Sequence, residues 1–126
     1  PYKAKSFEDY SSLLIDLDLI RVEDNGKFYA FNIEGKRKVP LEIFLYAVLC
    51  EKGRDKSVSY DTLQEIGLMF CMADAEVIDM AQNIGESYSA YVQYSDNAGI
   101  RQLLFKEGSS LTSMDVLEKY YKNAAV

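Results

Sequence analysis

The longest apolar stretch of the chain, Ile43 to Cys50, runs eight residues without a polar break and predicts a helix buried on every side. Pro40 suits its first turn, where a missing N–H costs nothing, and Gly53 can take the left-handed backbone that ends it. Upstream, Ser6 followed by Phe7-Glu8-Asp9 is a capping box completed by an acid, so a helix starts at Phe7. Its inward face is Phe7, Tyr10, Leu13, Leu14 and Leu17. From Ile20 the period drops to two: Ile20 and Val22 alternate with Arg21 and Glu23. Asp24-Asn25-Gly26 then signals a turn, and KFYAFNI places Tyr29, Phe31 and Ile33 on one side of a second strand.

Downstream of Gly53 the pattern predicts a short strand near Val58 and a helix opened by Ser59 or Asp61. Leu63, Ile66 and Leu68 are its apolar contacts and Gly67 its stop. Asp74 is positioned to cap the next helix, over 74–88, with Val77, Ile78, Ala81, Ile84 and Tyr88 as the inward stripe. Glu76, Asp79, Asn83 and Glu86 take the outward face. AYVQYS and IRQLLFK read as two strands joined by the four-residue loop Asp96-Asn97-Ala98-Gly99. Thr112 with Asp115 three residues on caps a terminal helix that shows Met114, Leu117 and Tyr121 on one face.

This order resembles a winged-helix domain. The fold class is α+β, winged-helix-like, preceded by a helix plus hairpin (7–38) and followed by a C-terminal helix (111–123). Residues 1–126 form a single domain, with the winged-helix-like core at 39–106. In winged helices the third helix usually enters the DNA major groove and the hairpin, or wing, touches backbone or minor groove, but fold order does not carry function with it.

Charge opposes that use here. The chain has 20 acids against 14 Lys and Arg, a net charge of −6. Seven of the acids (Asp61, Glu65, Asp74, Glu76, Asp79, Glu86, Asp96) fall between Tyr60 and Asp96, where there is no Lys or Arg. Phosphates are repelled by such a face, and the third helix offers only Gln82 and Asn83 for reading bases. The candidate function of Glu76, Asp79, Asn83 and Glu86 is instead a protein-interaction face for a basic partner. Lys36-Arg37-Lys38, the only basic run, is the candidate nucleic-acid contact, with Lys27 beside it; the competing reading is a solvated connector. Late tyrosines (Tyr88, Tyr91, Tyr94, Tyr120, Tyr121) offer a second sticky surface, since tyrosine suits boundaries that are apolar on one side and wet on the other.

Chemistry is scarce. The chain has no His, and its two separated cysteines cannot close a four-ligand zinc site. The carboxylates at 74, 76 and 79 lack the spacing and glycine of a calcium loop. Cys50 and Cys71 read as reduced core thiols. A Gly-rich phosphate loop and a nucleophile paired with a base are both absent, so the expectation is no catalytic residue, no metal, no cofactor and no enzymatic activity. With no apolar run near the ~20 residues that span a bilayer, the default is a cytoplasmic protein without membrane contact.

A more specific resemblance rests on Leu17, Leu19 and Ile20, then on Pro40, Ile43, Phe44, Tyr46, Ala47 and Leu49, and finally on Asp96, Ala98, Gly99 and Arg101. These positions resemble the C-terminal part of a bacterial family, domain of unknown function number four thousand and seven, over roughly residues 6 to 106. The chain departs from that pattern at Asp18, where the family favours glycine, and at Asn97. The resemblance implies the C-terminal domain of a longer protein from gene neighbourhoods associated with DNA phosphorothioation and phage defence. It also implies a protein partner, a phosphoadenosine-phosphosulfate-reductase-like protein being the candidate. The alternative is a DNA-binding winged-helix domain that uses the connector at 36–38.

Overall fold

The computed structural model describes residues 20–23, 28–31, 39–70, 72–108 and 110–124. Strands β1 (Ile20–Glu23) and β2 (Phe28–Phe31) pair antiparallel, with Ile20 opposite Phe31 and Glu23 opposite Phe28, as the alternation around Asp24-Asn25-Gly26 predicts. The helix expected from Phe7 and the basic run Lys36-Arg37-Lys38 lie outside the described residues, as does Cys71.

Helix α1 (Leu41–Lys52) is the centre of the core. Ile43, Phe44, Leu45, Ala47 and Val48 are wholly buried. Pro40 sits at the N-cap, one position before the first turn, and its carbonyl accepts the Ile43 and Phe44 N–H groups at 3.1 Å each. Gly53 ends the helix at φ 56°, a conformation open to glycine at little cost. Burial is not complete on every side: Glu42 and Tyr46 are half-buried, and Cys50, four residues on along the same face, is exposed and therefore not a core thiol. Side-chain type does not mark where the cover over the last turn stops.

Strand β3 (Ser57–Ser59) follows, then α2 (Tyr60–Met69), α3 (Asp74–Ser87), β4 (Val92–Asn97) and β5 (Ile100–Phe105). The three strands form an antiparallel sheet in the order β3-β5-β4, with Val58 opposite Leu103 and Val92 opposite Phe105. Ser59 is the cap of α2, its Oγ accepting the Thr62 N–H at 3.4 Å. The helices and sheet enclose one apolar core in which the Phe44 and Phe70 rings lie 6.1 Å apart. The fold is α+β, with its described elements in the predicted order.

Three local expectations are corrected. Gly67 does not stop α2; it is buried inside the helix, where a Cβ would overlap Val77 Cγ2 of α3. Glycine is there because two helices meet too closely for a side chain. Leu68, expected to pack inward, is 73% exposed, while Leu63 and Ile66 are fully buried. The loop after β4 has two residues, not four: Asp96 and Asn97 pair with Arg101 and Ile100, leaving Ala98 (φ 54°) and Gly99 (φ 84°) as the turn. Positive φ at both central residues is the twist that tight hairpins select.

Helix α4 (Ser113–Ala124) packs along α1. Its box forms as expected: Thr112 Oγ1 accepts the Asp115 N–H at 3.1 Å and Asp115 Oδ2 accepts the Thr112 N–H at 3.0 Å. The inward residue is Val116, with Leu117 and Tyr120 half-buried, whereas Met114 and Tyr121 are exposed.

Candidate interaction face

Helix α3 carries the predicted face. Val77, Ala81 and Ile84 anchor it in the core, Ile78 is half-buried, and Tyr88, just past its end, is buried too. Glycines set its two closest approaches. Gly67 lets α2 seat against Val77, and at Gly85 a Cβ would come within 3.0 Å of the Tyr94 amide nitrogen on β4. Wedged between α2 and the sheet, α3 must turn its remaining side outward. Glu76, Asp79, Asn83 and Glu86 are all exposed there, at steps of three, four and three residues that keep them on one stripe.

The structure divides this stripe. Glu76, Asp79 and Asn83 border a groove of about 360 Å³ whose other walls are Val39, Leu41, Met72 and Met80. Glu86 instead opens on a separate cavity of about 550 Å³ between the end of α3 and β4, shared with Gln82, Gly85, Gln93, Tyr94 and Lys106. Beside that second cavity the Tyr94 hydroxyl oxygen is enclosed without a hydrogen-bond partner. Its burial, and then the nearby Asp96, push the phenol above its ordinary pKa.

The acids are not equivalent. Glu76 Oε1 accepts the Ala73 N–H at 3.1 Å, so the N-cap is Ala73, and Asp74, expected as the cap, is the first helical residue. The Asp74 carboxylate instead accepts from the Gln64 amide at 3.0 Å, tying α2 to α3. Asp96 is held by Arg101 at 3.4 Å across the hairpin, on a pair open enough to water to contribute little. Glu76 and Asp79 are both exposed on the apolar groove, and Glu76 spends one carboxylate oxygen on the helix cap.

Past the end of α3, the Tyr88 hydroxyl donates to Glu42 Oε2 of α1 at 3.1 Å, and Lys119 of α4 lies 4.7 Å over its ring. Burial, reinforced by the Glu42 charge and that hydrogen bond, pushes the Tyr88 pKa up to about 12. Tyr88 is thus a structural rivet and not part of a sticky surface. Of the late tyrosines, Tyr91 and Tyr121 are exposed, and Tyr94 and Tyr120 are half-buried.

Sequence reading missed a basic cluster. Lys52, Arg54, Lys56 and Lys106 surround a cleft of about 160 Å³ that also contains Asp55 and Glu107. The Phe105 N–H donates to the Lys56 carbonyl at 2.8 Å, and Lys52 Nζ sits 4.9 Å over the Phe105 ring. The signal was present in the stretch EKGRDK, but Lys106 joins it only through β5. Among the described residues, no group of three or more His, Cys, Asp or Glu is placed to hold a metal ion, and no helix is long and apolar enough to cross a membrane.

The arrangement is that of an α+β domain with an acidic outer helix beside a shallow groove. The chain belongs to the family described as Protein of unknown function (DUF4007), whose sequence profile matches residues 2–121. Its fold is similar to that of two solved structures. One is magnesium ion-bound SspB, with TM-score 0.59 and 24% identity over 86% of this chain and 34% of that one. The other is SspB, with TM-score 0.58 and 22% identity over 96% of this chain and 38% of that one. This chain thus spans about a third of the length of the structures it matches. No curated protein matches it.

Proposed function

We propose that this is a non-catalytic, winged-helix-like protein-interaction domain of a longer bacterial protein, acting in a DNA-modification or phage-defence system. Its outer α3 face docks a positively charged partner, for which the phosphoadenosine-phosphosulfate-reductase-like protein of the family's gene neighbourhoods is the candidate. The observation that carries this reading is that Asp79 and Asn83 stand exposed on the helix that a DNA-binding relative would use for bases, beside an apolar groove. An acidic helix in that position repels phosphate and attracts a basic protein. The likeness to SspB supports the fold.

The test uses full-length protein and the co-encoded reductase-like protein, with on-rates measured at low and high salt. Glu76→Gln with Asp79→Lys is the informative variant, because Gln retains the oxygen that accepts the Ala73 N–H. The on-rate should fall at least tenfold at low salt and lose its dependence on ionic strength. An unchanged on-rate overturns the reading.

The second reading, DNA binding, gains from the basic cleft: among the described residues none of Lys52, Arg54, Lys56 and Lys106 has an ion pair, although the chain as a whole is acidic. Four phosphate contacts imply a log–log salt slope of about −3.6. Sub-micromolar duplex binding at physiological salt, lost in Arg54→Glu with Lys56→Glu, would establish this reading over the first. Loss in a Lys36, Arg37 and Lys38 triple neutralisation instead would place the contact on the connector.

A further inference from the structure

Resting on the protein-docking reading, we infer that the groove between the start of α1 and the outer side of α3 receives an amphipathic helix: an apolar stripe of the partner fills the groove, and Lys or Arg beside that stripe face Glu76, Asp79 and Asn83.

The floor is apolar. Leu41, Met72 and Met80 are half-buried side chains that pack on the core with one flank and line the groove with the other. Methionine is unbranched and polarisable, so two of them can reshape around an incoming side chain. The volume of about 360 Å³ is at the small end of ligand pockets, and the groove is partly open to solvent. It therefore suits two or three anchor side chains of a larger partner better than an enclosed small molecule.

The rim sets the sign and the shape. Helix α3 has 14 residues and is about 21 Å long, a straight rail along which a partner helix can place anchors at i, i+3 or i+4, and i+7. Glu76 and Asp79 lie along the groove, and the chain has no Lys or Arg between Tyr60 and Asp96. A basic flank meets attraction along this edge. An acidic helix meets repulsion, as does nucleic acid.

The experiment uses the whole chain with methionine methyls labelled for NMR, so that Met72 and Met80 report the groove and Met114, exposed and outside its lining, reports a separate surface. Three 18-residue synthetic peptides are titrated: Leu and Lys in amphipathic helical order, the same composition scrambled, and Leu and Glu in the first order. The ordered Leu–Lys peptide should shift Met72 and Met80 saturably, leave Met114 in place, and bind at least tenfold more tightly than the other two. Asp79→Lys, a change at an exposed position, should weaken it at least tenfold. Met80→Gln should do the same with an unchanged circular dichroism spectrum. Equal binding of the scrambled peptide would reduce the face to a charge effect and overturn the groove. Methyls unmoved by every peptide overturn it also, including the case in which the chain's own residues before Val39 already fill the space. The two readings fail separately. If the reductase-like protein still needs Asp79 but is indifferent to Met80→Gln, the acidic face stands and the groove falls; indifference to both removes both.

Discussion

Replacing Gly67 by Ala sets two effects of opposite sign against each other. Inside a helix Ala is favoured over Gly by about 1 kcal/mol, and were Gly67 merely an ill-placed helix stop, the change would stabilise the protein. A Cβ at this position, however, overlaps Val77 Cγ2, and Val77 is 1% exposed on a helix pinned by Ala81 and Ile84. Overpacking a buried contact costs about 1–3 kcal/mol, so the single variant should lose about 1 kcal/mol net. Val77→Ala alone removes the equivalent of two methylenes and leaves a partial void, a cost of about 2 kcal/mol. In that background the added methyl has room, and the same Gly67→Ala change should become stabilising by about 1 kcal/mol. The coupling in the cycle is therefore about 2 kcal/mol, well above the few tenths expected of independent sites. Urea and thermal unfolding followed by circular dichroism would read it, with about 4 °C in Tm per kcal/mol for a chain of this size. Stabilisation by Gly67→Ala in both backgrounds would refute the packing argument, and with it the account of what aims α3 outward.

Phe44→Ala should cost about 3–5 kcal/mol by opening a void beside Phe70; a denaturation midpoint that barely moves would remove α1 from the centre of the core. Glu76→Ala should cost about 0.5–1 kcal/mol and Glu76→Gln much less, because the side chain caps α3; equal behaviour of the two in urea unfolding would mean the cap is idle. Tyr88 has a raised folded pKa of about 12, so its contribution is complete below its ordinary pKa near 10 and is lost as pH rises from there through 12. Tyr88→Phe should abolish that alkaline loss in a stability–pH profile, and a profile identical to wild type would show that Glu42 does not hold the phenol. Asp115 is shifted the other way, its carboxyl held below 3.8 by the Thr112 backbone and then side-chain hydrogen bonds. Its contribution is present above 3.8 and fades as pH falls through the lower folded value, so Asp115→Asn should flatten the acid limb of α4 unfolding.

Much of the architecture was legible along the chain because local signals agreed with one another. The apolar run at Ile43–Leu49, the caps at Ser59 and Thr112, the stripe Val77-Ala81-Ile84 and the alternation either side of Ala98-Gly99 each state an element and its inward face. The outward position of Glu76, Asp79, Asn83 and Glu86 followed from the same periodicity. Tertiary structure decided what periodicity cannot express. Gly67 looked like a terminator because glycine ends helices, and it proved to be a contact point, since the atom that forbids a Cβ belongs to another helix. Cys50 and Leu68 are apolar and exposed because burial depends on what lies opposite, and the residue itself does not specify that. The acidic stripe became two sites when Met72, Met80 and Val39 closed around its first part and Lys106 came to its last. The basic cleft likewise exists only because β5 returns Lys106 to the end of α1. Charge and spacing are local properties readable from one chain, while grooves and clusters arise where segments distant in sequence are forced to share one core.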